Sequence, residues 1–124
     1  MKFSIDKKDK YSLFKLEEDK LNTLNAPKLK SELVVLNASG TKNIILDLSD
    51  VSFVDSSGLS AILIGNRLCK NVSGTFAVTR LNDYVAKLIK ISQLDSILNI
   101  LPTVEEAVDF VMMEEVERDA KGNG

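Results

Sequence analysis

Asp55, Ser56, Ser57 and Gly58 stand together where an apolar strand run, Ile44 to Leu48, and a polar turn give way to apolar residues from Leu59 onward. A carboxylate and two hydroxyls at the start of a helix lie among backbone N–H groups that lack intrahelical partners, at the positive end of the macrodipole. Such a place suits a phosphate or a capping side chain. The tetrad is therefore either a phosphorylation site or a helix cap.

Other chemistry is narrowed by what the chain lacks. With 0 histidines, a Ser-His-Asp or Cys-His nucleophile and any histidine-containing zinc site are excluded. No G-x-S-x-G elbow, Walker A loop or G-x-G-x-x-G is present, so a Ser-Lys hydrolase is the remaining enzyme reading and it has no motif behind it. The carboxylates read as a solvated surface. The single cysteine, Cys69, cannot close an internal disulfide and reads as a packed small hydrophobe. We expect no catalytic activity, no metal and no cofactor.

The elements that must position the tetrad alternate between strand and helix periods. Phe3 and Ile5 alternate with Ser4 and Asp6, and after the charged turn from Lys7 to Lys10 a second alternating run extends from Tyr11 to Leu16. This reads as an antiparallel hairpin. Asn25 caps a helix with Pro27 in its first turn; Ala26, Leu29, Leu33 and Leu36 share one face, and Gly40 sits past the end. Ile44-Ile45-Leu46 has the continuous apolar character of a strand buried on both faces. A helix from about Ser57 to Lys70, a strand near Thr75 to Val78, a helix from Asp83 to Ile91 and a strand near Ile97 to Ile100 follow. Thr103 and Glu106 then have capping-box spacing, and Val104, Ala107, Val108, Val111 and Met112 keep one helical face. The order implies an α/β fold whose mixed sheet carries the N-terminal antiparallel hairpin and a parallel portion with right-handed crossovers.

The run from Ile44 to Leu63 resembles, without a gap, the pattern hxhDLSxVxFhDSSGLxxh (h apolar) of the STAS domain, the sulfate transporter and anti-sigma factor antagonist family. Within that family it is most similar to the stand-alone bacterial anti-sigma factor antagonists. Weaker likeness continues through Val85 to Asp95 and Thr103 to Val108, so nearly the whole chain is covered. The resemblance implies a single STAS domain that binds an anti-sigma factor with serine kinase activity. It implies that Ser56 is the residue which that partner phosphorylates, and that a separate protein phosphatase restores it. Asp55 then contacts the partner or orients the hydroxyl, Ser57 caps the helix, and Gly58 lets a partner backbone come close. The family often ends its second strand in a Gly-Glu-Leu-Asp turn whose acid faces the kinase; here the stretch is Asp19-Lys20-Leu21-Asn22, with Asn22 in place of the acid and Asp19 at a shifted position. Leu59, Ile62 and Leu63 belong to a helix apolar nearly all round its first turns, which leaves a surface for the same partner. The competing reading is a STAS adaptor subunit, never phosphorylated, in a lipid-transport or sensory assembly.

Composition sets the remaining bounds. At 124 residues the chain fits one domain. A net charge of −2 and no basic run beyond Lys7 to Lys10 leave no footprint for nucleic acid. No apolar run is long enough for membrane insertion, and the expected location is cytoplasmic. We place the STAS domain at 1–113 and read 114–124, charged and without apolar spacing after Val116, as a disordered tail.

Overall fold

The computed structural model describes residues 1–122. Strands β1 (Phe3–Lys7) and β2 (Ser12–Leu16) form the expected antiparallel hairpin, with Phe3 opposite Leu16 and Lys7 opposite Ser12. Three further strands, β4 (Ile44–Asp47), β6 (Phe76–Thr79) and β7 (Asn99–Leu101), add in parallel to give the sheet order β1-β2-β4-β6-β7. A separate two-stranded parallel sheet joins β3 (Lys20–Leu21) to β5 (Phe53–Val54), and neither strand was expected from the sequence, each being too short to show a period. The helices are α1 (Ala26–Ala38), α2 (Ser56–Asn71), α3 (Asp83–Ile91) and α4 (Val104–Gly122).

Period-2 alternation sorts the sheet into two cores. Ile44 and Leu46, with Phe14, Leu16, Phe76 and Val78, face the buried sides of α1, α2 and α3. Ile45 and Ala77 face the other way, onto Ala107 and Val111 of α4. Every residue of β4 and β6 is buried, as a parallel strand covered on both faces requires. Gly65 allows the close approach of α2 to the sheet: a Cβ there would lie 2.5 Å from the Phe76 ring.

Three boundaries differ from the sequence expectation. The helix after the tetrad starts at Ser56, because Asp55 is its cap. The last strand starts at Asn99, since Gln93 takes a left-handed φ of 61° and the chain makes a 3-10 turn over Leu94–Ser96. The expected tail from Glu114 is helical through Gly122. Glu115 and Arg118 supply the reason: Glu115 Oε2 accepts from Arg118 at 2.6 Å and from Asn43 Nδ2 at 3.1 Å, while Arg118 also donates to Thr75 Oγ1 at 2.7 Å. A charged segment holds its helix by polar contacts to the amino ends of β4 and β6, which no apolar periodicity can announce. Asn123 and Gly124, the end of that expected tail, lie outside the described residues.

Candidate functional site: the turn before α2

The tetrad follows β5 and lies beyond the carboxyl end of β4, the side of an open α/β sheet where sites gather. Asp55 is the N-cap of α2, with extended backbone (φ −100°, ψ −174°), and its Oδ1 accepts the Gly58 N–H at 2.9 Å. Its Oδ2 accepts both the N–H and the hydroxyl of Thr23, at 3.1 and 3.2 Å. These donors, led by the Gly58 N–H, hold the Asp55 carboxyl below the usual carboxylate range despite some desolvation. The Asp55 N–H in turn donates to Leu21 O at 3.2 Å, continuing the β3–β5 pairing.

Ser57 is not the cap expected of it. Its hydroxyl lies 3.3 Å from Thr23 Oγ1, and with the Thr23 hydroxyl donating to Asp55, Ser57 is left to donate to Thr23. Capping passed to the aspartate, which accepts from the residue three positions on, as an N-cap does. Ser56 is exposed in the first turn of α2, and its side chain stands outside the Asp55–Thr23–Ser57 network.

Gly58 is buried, and not open to a partner backbone. A Cβ at this position would lie 2.5 Å from Leu21 O and 2.7 Å from Val54 Cγ1, so the glycine lets α2 start hard against the small sheet. Ile62 is fully buried in the core, and Leu59 and Leu63 are half-buried against it. The helix is apolar nearly all round because α1 packs along it on one side and the sheet lies beneath it. The expectation of Ile62 and Gly58 as contact surface is therefore corrected, and Leu59 and Leu63 offer only part of their side chains.

The exposed apolar groups near the tetrad are others. Phe53, three residues before Ser56, is 38% exposed and stacks on Tyr84 of α3, with ring centroids 5.8 Å apart and planes 19° apart. On the loop from β3, Leu24 is 90% exposed beside Thr23. Asn22 is half-buried and turned onto its own loop, its Oδ1 accepting the Leu24 N–H at 3.0 Å. Asp19 is engaged by Ser52, whose hydroxyl donates to its carboxylate and whose N–H donates to its carbonyl at 2.8 Å. The alternating strand pattern marked none of Thr23, Leu24 or Tyr84; an exposed aromatic in the first turn of α3 was the one signal available.

Cys69 is fully buried, and burial pushes its thiol up to about 12, so it packs as a small hydrophobe. Among the described residues no cluster of His, Cys, Asp and Glu is arranged to hold a metal, and no helix is long and apolar enough to cross a membrane.

A mixed sheet with three helices on one face, and a turn presenting an exposed serine beside a helix-capping aspartate, defines a small α/β domain that displays a hydroxyl at a helix start. The STAS domain model matches residues 2–107, and the chain belongs to the STAS domain family. It is 28% identical over 107 residues to BtrV of Bordetella bronchiseptica, a candidate anti-sigma factor antagonist, covering 86% of this chain and 91% of that protein. The crystal structure of a candidate anti-sigma factor antagonist from Thermotoga maritima superposes with a TM-score of 0.80 at 29% identity, over 89% of this chain and 94% of the other. SpoIIAA, an anti-sigma factor antagonist solved in its unphosphorylated form, shares the fold with a TM-score of 0.69 at 20% identity, over 90% and 98% of the two chains.

Proposed function

We propose that this chain is a cytoplasmic anti-sigma factor antagonist, a binding module with no catalytic step of its own. Ser56 is the acceptor that a partner anti-sigma factor with serine kinase activity phosphorylates, and a protein phosphatase reverses the modification. The observation that carries this reading is the division of labour within the tetrad: Asp55 takes the cap and the Thr23 loop, Ser57 turns toward Thr23, and Ser56 is left exposed. Its hydroxyl is thereby accessible to a kinase without unfolding the turn.

The same geometry supports a modification that acts on binding rather than on folding. A phosphate on the first residue of α2 adds about −1.5 to −2 charges at the positive end of the helix dipole, which favours it, while the ionised Asp55 beside it opposes it. The two influences have opposite sign, and the phosphate stands on an exposed residue outside the core. A neutral hydroxyl that a partner desolvates cheaply becomes a charged group that resists desolvation. The unmodified form binds the anti-sigma factor and frees the sigma factor; the phosphorylated form releases it.

The test is peptide mapping by mass spectrometry of the protein purified from its native cells. A single phosphate on Ser56, lost in the Ser56→Ala strain together with regulation of the partner, is the expected result. Phosphate on another serine, or none under any growth condition, overturns the assignment.

A further inference from the structure

The outer face of α4 is a second surface, on the side of the sheet away from the tetrad. Asp109, Met112, Met113, Val116 and Glu117 line a shallow groove at the spacing i, i+3, i+4, i+7, i+8, which is one continuous helical stripe. Met113 is 67% exposed and Val116 65% exposed, so two large apolar groups face solvent on neighbouring turns of one stripe. This stripe lies beyond residue 107, where the family match ends. It is also fixed in orientation, because Glu115 and Arg118 on the opposite side of the helix are tied to Asn43 and Thr75.

Charge decides what fits there. The helix carries seven acidic residues against Arg118 and Lys121, and Asp109 and Glu117 stand at the two ends of the apolar stripe. A second copy of this chain paired antiparallel about Met113 sets Asp109 of one copy against Glu117 of the other, so like charges oppose self-association. An anionic lipid surface is repelled for the same reason. We propose that this groove docks a basic amphipathic helix of a partner protein, with apolar residues at i, i+3 or i+4 and i+7 entering between Met112, Met113 and Val116 and Lys or Arg flanking them to meet Asp109 and Glu117. Methionine side chains adapt to such a helix without demanding one sequence. The groove and the tetrad lie on opposite faces, so both are open at once, and the domain can bridge two partners.

The experiment titrates the full-length, isotope-labelled protein with a Leu/Lys amphipathic peptide of about 18 residues, roughly five helical turns. The same peptide with Lys replaced by Glu, and one of the original composition with the leucines scrambled, serve as controls. Amide shifts centred on Asp109 to Glu117, saturable with the first peptide alone and weakened about tenfold or more in the M113K/V116K double variant, support the proposal. Both substituted side chains are exposed, and an unchanged melting temperature verifies the fold. Shifts centred elsewhere, equal binding of either control peptide, unchanged affinity in the double variant, or sedimentation showing a dimer that the double variant abolishes would each overturn it.

Discussion

Thr23 gives both its N–H and its hydroxyl to a single oxygen of Asp55, at 3.1 and 3.2 Å, across 32 residues of sequence. The other oxygen of the same carboxylate caps α2. One aspartate thus starts the helix that carries Ser56 and pins the loop after β3 beside it. On the proposed function, a partner that reads Ser56 would meet a surface built from both segments, and a change at Asp55 is felt on each.

Asp55→Asn should lower the melting temperature and speed hydrogen exchange at the Thr23 amide. Asparagine keeps an oxygen for the cap but turns an NH2 toward two donors. The wild type should also lose stability in acid. The Asp55 carboxyl titrates below its ordinary value in the folded chain, so its contribution is complete above the unfolded pKa of about 4 and disappears as pH falls through the folded value. Glu115, held low chiefly by its hydrogen bonds from Asn43 and Arg118, adds to the same trend. Thermal melts from pH 7 downward check this: the gap between wild type and Asp55→Asn should narrow at acid pH, and a constant gap contradicts the account.

Gly58→Ala should destabilise the domain by about 1–3 kcal/mol, the usual cost of overpacking. The new methyl meets the Leu21 carbonyl and Val54, and a strand backbone has little room to yield. Urea denaturation measures the loss. If the substitution is neutral, the small β3–β5 sheet is less firmly seated against α2 than its geometry indicates.

The main sheet, the four helices and the place of the tetrad were legible because they rest on periodicity and on a contiguous motif. Asp83 to Ile91 reads as a helix and forms one with those same ends. The hydroxyl of Thr103 accepts the Glu106 N–H at 3.1 Å, the cap bond that their spacing implied. The site's fine structure was less legible, since its contacts join distant segments. Asp55 and Ser57 are both good N-cap residues by type, so the local sequence leaves two candidates for the cap, and nothing in Gly58 distinguishes a partner's backbone from the chain's own at Leu21. The exposed apolar surface differs from the expectation on α2 because composition gives no direction: Ile62 points inward, while Phe53, the first residue of a two-residue strand, keeps its ring partly in solvent.

Replacement of the two serines should separate chemistry from structure. Ser56→Ala removes phosphate incorporation and leaves stability within about 0.5 kcal/mol, as for an exposed side chain outside any network. Ser57→Ala gives up only the 3.3 Å contact to Thr23 and also stays within about 0.5 kcal/mol, because Asp55 and not Ser57 is the cap. Denaturation curves for both variants, with phosphate mapped by mass spectrometry, provide the check. A large loss at Ser57 would return the capping role to it.

The aromatic pair at Phe53 and Tyr84 should anchor the partner that reads Ser56. Both rings are partly exposed, they stack across two elements, and they sit on β5, which leads into the tetrad, and on α3, which packs against β5. Stacking against each other holds them in place before a partner arrives, so little side-chain freedom is lost on binding, and rigid aromatics of this kind dominate interface energies. Tyr84→Ala should therefore weaken partner binding by about 2 kcal/mol or more, the threshold of a hot spot, while a half-exposed side chain costs the isolated domain far less. Phe53→Asp should weaken it further by adding charge three residues before Ser56, in the sense in which the proposed phosphorylation would act. Calorimetric titration of the partner alongside a thermal melt of each variant separates the two effects. Unchanged affinity in both variants would move the interface to the other side of the tetrad, toward Leu24 and the loop that Thr23 pins.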